Sequence, residues 1–336
     1  MFSANLGDLA QAFMLRRQTS AASTELNRLT AEMSSGRKED LQSHLRGQFT
    51  PLAGIERART MNATYAASNK AAAQFANAQQ LALDAVQSSV VNSGADFLRA
   101  ATQGDATQRQ VTYANASSAL TQVIDNLNGH YGSRALFAGA ATQGPALVDA
   151  AQLLSDLGAA VAGQTTASGV LAAADAWFDT PGGGFDTLAY IGSTTPLSPF
   201  DIAEGSTERL DTTAADPAIR DTLKGLALAA MMDQGLLSGS PAEQQRLLQS
   251  AGARLVNTGD DLTALRAGIG FAEERIETAR VRGEAEATGL ETALNALVQA
   301  DPYATAIALQ NAQTRIETIY TITARVSGLS LAAVLR

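Results

Sequence analysis

The sequence predicts a mainly α protein: a long antiparallel helical rod carrying a small inserted α+β domain. Three observations predict it. Both ends of the chain repeat apolar residues at alternating spacings of three and four, which marks one face of a helix. Prolines and a Gly-Gly-Gly run concentrate in the middle, where the texture becomes strand-like. Aromatics make up only 5% of the chain, against 46% hydrophobic residues overall, so Ala, Leu, Val and Ile must build the core. Such small side chains suit close helix–helix packing.

The elements follow in order. Ala12, Leu15, Thr19, Ala22, Leu26, Leu29 and Met33 form the first stripe, and Ser34-Ser35-Gly36 ends the helix at a glycine cap. A polar stretch leads to Pro51. An alanine-rich helix then spans roughly 52–101, Gly104-Asp105 breaks it, and another runs over about 107–127 as its antiparallel partner. The pattern stops at Asn128-Gly129-His130-Tyr131-Gly132. The centre should mix a helix over 147–161 with strands at 187–191 and 200–203. Asp216-Pro217 reads as an N-cap followed by a first-turn proline. After Pro241 comes the longest stripe: Leu255, Leu262, Leu265, Ile269, Ala272, Ile276, Ala279, Leu290, Ala293 and Leu297 on one heptad register. A helix of about 55 residues spans roughly 80 Å, more than a compact globule holds. Asp301-Pro302 interrupts it, and a last helix runs over about 303–334 with Ile316, Ile319, Ile322, Val326 and Leu329 as its stripe.

This pattern divides the chain into three parts. Residues 1–45 with 300–336 form a terminal helical assembly domain, 46–140 with 216–299 a helical rod domain, and 141–215 the insert. A two-helix terminal pair cannot bury both stripes by itself. Either a bundle within the chain covers them, or other copies or partners do. Head-to-tail contacts that do not close build helical filaments.

Charge and composition exclude several classes. The net charge is −9, and the span from Asp149 to Asp221 carries eleven acids against two arginines, which accounts for all of it. An acidic centre between balanced flanks argues against nucleic acid as a partner. There is no cysteine, hence no disulfide or thiolate chemistry. The N-terminal segment lacks a basic region and an apolar run, so a cleaved signal peptide is not expected. No apolar stretch is long enough to span a membrane. His44 and His130 are the only histidines, and neither has a second ligand at metal-binding spacing. Gly182-Gly183-Gly184 lacks the Lys-Ser/Thr of a phosphate loop. No catalytic residue, metal site or cofactor is expected. The candidate contacts are apolar: Phe13, Leu26, Leu29, Met33, Ile319, Tyr320, Leu331 and Leu335, an assembly interface on the terminal helices.

The ends of the chain resemble the flagellin superfamily. Glu25-Leu26-Asn27-Arg28-Leu29-Thr30 followed by Ser34-Ser35-Gly36-Arg37 is similar to that family's leucine-rich helix and SSG-plus-basic signature. Asp301-Pro302-Tyr303 and the terminal Ser330-Leu331-Ala332-Ala333-Val334-Leu335 resemble its C-terminal ending. Tyr131-Gly132-Ser133-Arg134-Ala135-Leu136-Phe137-Ala138-Gly139 is similar to the F-A-G turn of the family's hook–filament junction branch, as are Tyr190-Ile191-Gly192 and Asp201-Ile202-Ala203-Glu204-Gly205 to strands of its insert. The stretch Glu39-Asp40-Leu41-Gln42-Ser43-His44 departs from the family's D-D-P or D-D-A element.

The resemblance implies a structural subunit of the bacterial flagellum, not an enzyme, that forms the junction between hook and filament by terminal helix packing. Its implied partners are further copies in a ring, another hook-associated protein on the hook side, flagellin on the filament side, and a cytosolic export chaperone, with no nucleic acid and no membrane. It implies export through the flagellar type III apparatus to the extracellular flagellum. Flagellin itself is the alternative within the family, and a secreted membrane-active helical effector is the alternative outside it. Against the effector stands the scarcity of lysine: only Lys38, Lys70 and Lys224.

Overall fold

The computed structural model describes residues 3–334, with side chains from 10 to 325. The elements are α1 (Ser3–Ser35), α2 (Leu41–His44), α3 (Thr50–Gln103), α4 (Ala106–Leu127), β1 (His130–Tyr131), β2 (Arg134–Ala135), α5 (Ala150–Ala160), α6 (Ala167–Asp179), a π-helical turn (Phe185–Ala189), β3 (Phe200–Ala203), β4 (Ser206–Glu208), α7 (Pro217–Asp233), α8 (Pro241–Val298) and α9 (Pro302–Val334). The chain is mainly α, with long helices and small antiparallel two-stranded sheets, as the sequence predicts. It divides into two compact units. Met1–Asn62 with Ala285–Arg336 form a terminal unit, and Ala63–Glu284 form a central unit.

The helices of the central unit start and stop where local chemistry directs. Asp105 and Asp149 cap α4 and α5, accepting from the amides of Gln108 and Gln152 at 2.8 Å. The unit has one continuous apolar cluster from Ala72 to Ile276, with α4 packed on α7. α3 and α8 approach closely at Gly94 and Gly252, where an added Cβ on Gly252 would lie 3.0 Å from Phe97 and Leu98. Arg266 of α8 fastens the same pair of helices through Gln80, Asp84 and Gln87 of α3.

Rings cluster around α6 and the π-helical turn, in addition to Phe75, Phe97, Tyr113 and Phe137 elsewhere in the core. Trp177, Phe178, Phe185 and Tyr190 form a chain of aromatic contacts with centroids 4.7 to 6.4 Å apart. This arrangement displaces the strand expected at 187–191. Phe185 turns into the aromatic core on a π-helical turn, and only Tyr190 makes a bridge, with Leu147. The strand at 200–203 forms as expected and pairs with β4, whose buried Glu208 takes both oxygens to Arg275 of α8 at 2.5 and 2.7 Å. Arg220 of α7 joins the same core. It lies over the Phe185 ring at 4.6 Å, donates to the Phe178 carbonyl and pairs with Asp186.

The turn at 137–139 ties this region together. Phe137 and Ala138 are fully buried, the Phe137 carbonyl accepts from Ala214, and the Ala138 carbonyl accepts from Ser193. Gly139 has φ +58, and a Cβ there would lie 2.5 Å from the Ser193 carbonyl oxygen and 2.7 Å from that of Thr195. The F-A-G sequence is therefore a packing requirement of the fold.

Asp216 does not cap α7 with its side chain. Its Oδ2 instead accepts from the Thr213 amide at 2.7 Å, behind the N-terminus of the helix. Burial raises the pKa of this carboxyl above the ordinary aspartate range, although the Thr213 amide and Arg220 work against the shift. The folded state thus holds the proton more tightly than the unfolded chain. Stability contributed here falls as pH rises through that window. Asp216→Asn keeps an acceptor for Thr213 and removes the buried charge. Its urea midpoint relative to wild type is expected to rise between pH 4 and pH 7, and chemical denaturation at both values checks this.

Candidate assembly interface

In the terminal unit α1 and α9 pack side by side. Ala22 and Leu29 of α1 and Ala312 and Ile319 of α9 are buried, while Leu15, Thr19, Leu26 and Ile316 are half-buried. The stripes therefore meet each other first. Two helices cover only one face apiece, and large apolar side chains remain outside. Phe13 is 72% exposed, Tyr320 58% and Met33 47%, with Met14, Ile307 and Ile322 also open. Isolated exposed apolar residues are ordinary; here Phe13, Met14, Met33, Ile307, Tyr320 and Ile322 lie open on a single helix pair.

Small residues shape the seam. Ala21, Ala22, Ala308 and Ala312 line a groove of about 660 Å³ between the two helices, with Met14, Arg17, Glu25 and Arg315 also along it. Of the side chains expected at an interface, Leu29 and Ile319 lie inside the pair, Leu26 at its edge, and Phe13, Met33 and Tyr320 on its surface. Leu335 lies outside the described residues, as does the side chain of Leu331.

The stripe of α1 ends differently from its heptad extrapolation. Met33 is exposed, and Glu32, fully buried, takes the inward position instead. Its carboxylate pairs with Arg28 on its own helix, accepts from Lys38 Nζ at 2.9 Å, and accepts from the Glu39 amide at 3.3 Å. Burial alone would raise the pKa of Glu32. The Lys38 and Glu39 hydrogen bonds and the charges of Arg28 and Lys38 outweigh it and hold the carboxyl below the ordinary glutamate value.

That carboxylate closes a joint. Gly36, at φ +69, turns the chain out of α1 in a conformation that glycine tolerates best. The following backbone pairs with the α8–α9 connection. The Lys38 amide donates to the Val298 carbonyl at 2.8 Å, and the Ala300 amide donates to the Gly36 carbonyl at 2.9 Å. Beside it, Leu52, Leu294 and Val298 form a small core with Leu41, Leu45, Ile55 and Leu297 packed on it. Asp301 starts α9 by accepting from the amides of Tyr303 and Ala304 at 2.8 and 3.1 Å. Glu32 and Lys38 were not among the expected contacts. The signal was present in the Glu25, Arg28, Glu32 spacing followed by a basic residue just past the glycine turn.

Among the described residues, no group of three His, Cys, Asp or Glu side chains could hold a metal ion, and both histidines are exposed. No described helix is long and apolar enough to cross a membrane.

No curated protein matches the chain. Among solved structures, a chain described as a flagellar hook-associated protein from Vibrio parahaemolyticus aligns at 12% identity and a TM-score of 0.40, covering 71% of this chain and 95% of that one. Residues 257–334, most of α8 and all of α9, match the family model of the bacterial flagellin C-terminal helical region, and over that segment the chain is similar to flagellins.

Proposed function

We propose that this protein is a structural subunit of the bacterial flagellum that assembles through its terminal unit. The observation carrying this reading is that the flagellin-like segment includes the whole of α9, the helix that packs on α1 and leaves apolar side chains uncovered. Burying such side chains against other subunits is the main favourable term in assembly.

Within that reading the protein forms the junction between hook and filament. The Phe137-Ala138-Gly139 turn and the insert it anchors support this role over that of filament subunit, because the resemblance to the junction branch lies in those residues. It assembles as a ring of copies between another hook-associated protein and flagellin, after export through the type III apparatus under the guard of a chaperone that covers the terminal helices. The three-part division into terminal, rod and insert domains belongs to the same proposal. Antibodies against residues 141–215 test the position directly by immunogold electron microscopy. Label confined to the base of the filament supports a junction. Label along the filament means a filament subunit, and flagella without label refute both.

The apolar cluster of the central unit lies wholly between Ala72 and Ile276. Removing about 40 residues from either end is therefore expected to leave a folded helical core that no longer assembles. Circular dichroism of the trimmed chain checks the first part, and global unfolding would contradict it.

A further inference from the structure

We propose that Glu32 is the catch of a conformational latch: its carboxylate holds the 37–39 loop against α1, and releasing it opens the backbone pairing between that loop and the α8–α9 connection. The geometry argues for this step by step. The loop from Gly36 to Asp40 has no helix or sheet of its own, apart from its single bridge to Gln299. From the α1 side the exposed Ser35 hydroxyl meets the Arg37 backbone at 3.3 and 3.4 Å, and the buried anchor is the Glu32 carboxylate, reached by Lys38 Nζ and by the Glu39 amide. What the loop fixes in turn is the connection between α8 and α9, through the amides of Lys38 and Ala300. One buried carboxylate thus stands between the end of α1 and the start of α9, the two helices of the assembly unit.

The charged groups around it are few. Arg28 faces it from α1 and is itself shared with Glu25, and Asp40 acts on Arg28 from the loop. Lys38 faces it from the loop. On the α8–α9 connection, residues 298–302 contain one ionisable side chain, Asp301, which is engaged with the amides of α9. Two cations therefore hold one buried carboxylate, and protonating it removes the acceptor charge from both. Because its folded pKa lies below the ordinary glutamate value of 4.5, the latch is closed above that value and opens as pH falls through the folded pKa.

Amide hydrogen exchange of the full chain, resolved at Lys38 and Ala300, tests this. At neutral pH both amides are expected to be protected, and Glu32→Gln should lower their protection by about 10- to 100-fold, the range for losing charge-assisted hydrogen bonds. Amides of α7 report on the central unit and should keep their protection, which separates opening of the latch from misfolding. Lys38→Met, which leaves the Arg28 pair in place, should give a smaller loss at the same two amides. After correction for intrinsic exchange, wild-type protection should fall in acid while that of Glu32→Gln stays flat. Unchanged protection in Glu32→Gln, or equal losses in α7, would overturn the proposal. That the latch controls assembly rests on the function proposed above. The exchange experiment does not, so it can fail while the flagellar reading stands, and the reverse.

Discussion

Replacing Gly139 with valine is expected to destabilise the central unit by about 3–5 kcal/mol, the range of the most damaging single substitutions. Two separate penalties act at this position. The backbone has φ +58, which a β-branched residue adopts at a cost of about 1–2 kcal/mol or more. A Cβ would also lie inside contact distance of the Ser193 and Thr195 carbonyl oxygens. Neither oxygen belongs to a flexible side chain. Relief requires moving the 193–195 segment, which would break the hydrogen bonds from Ser193 to Ala138 and from Ala140 to Thr195. Gly132, also at positive φ, has nothing within 4 Å of its added Cβ, so Gly132→Ala should lose only about 1 kcal/mol. Urea unfolding of the two variants separates the crowding from the backbone strain. Equal losses would mean that the 137–139 turn is not pinned as described.

Lys224→Met is the second large effect, expected at about 3 kcal/mol. The Lys224 side chain has no solvent exposure, and its ammonium meets Asp175 at 2.9 Å, Asp179 at 2.5 Å and Asp221 at 3.3 Å. Arg254 shares Asp175 and Asp221 at 3.0 and 2.8 Å. Removing the lysine leaves three carboxylates around one guanidinium, and breaking a buried pair in this way costs about 3–5 kcal/mol. The carboxylates retain solvent access, between 33 and 51% of their side chains, so the low end applies. Asp179→Asn removes the most exposed partner and should lose under about 1 kcal/mol. Thermal or urea unfolding of both variants is the check, and a small effect of Lys224→Met would show that the network is not what joins α6 to α7.

How far the sequence discloses such features depends on the range of the interaction behind them. Helix ends such as Ser35, Leu127, Val298 and Pro302 follow from glycine, proline and capping residues beside them, and they were legible. The register of α8 was legible only in part. Leu255, Leu262, Ile269 and Ile276 are buried as the heptad predicts, but further along Leu294 and Val298 are buried while Ala293 is exposed. A straight helix drifts about 20° per heptad from a strict seven-residue repeat, enough over several heptads to bring the next position inward. That drift moves the following residue inward and so does not account for Glu32, which is buried under its contacts with Lys38 and the Glu39 amide. The π-helical turn at 185–189 was not legible. Its residues pattern as a strand, and only the rings of Trp177, Phe178 and Tyr190, brought there by the fold, decide otherwise. Of the candidate contacts, Leu29 and Ile319 could be placed in a stripe from spacing alone. The exposure of Phe13 and Tyr320 depends on there being only two helices in the pair, which periodicity does not state.

The most direct test of the flagellar account is to delete the gene, image the cells by electron microscopy, and assay the culture medium for filament protein. Bare hooks with unpolymerised flagellin in the medium are the predicted result, since a filament cannot start without its junction. Cells that carry normal filaments would contradict the account.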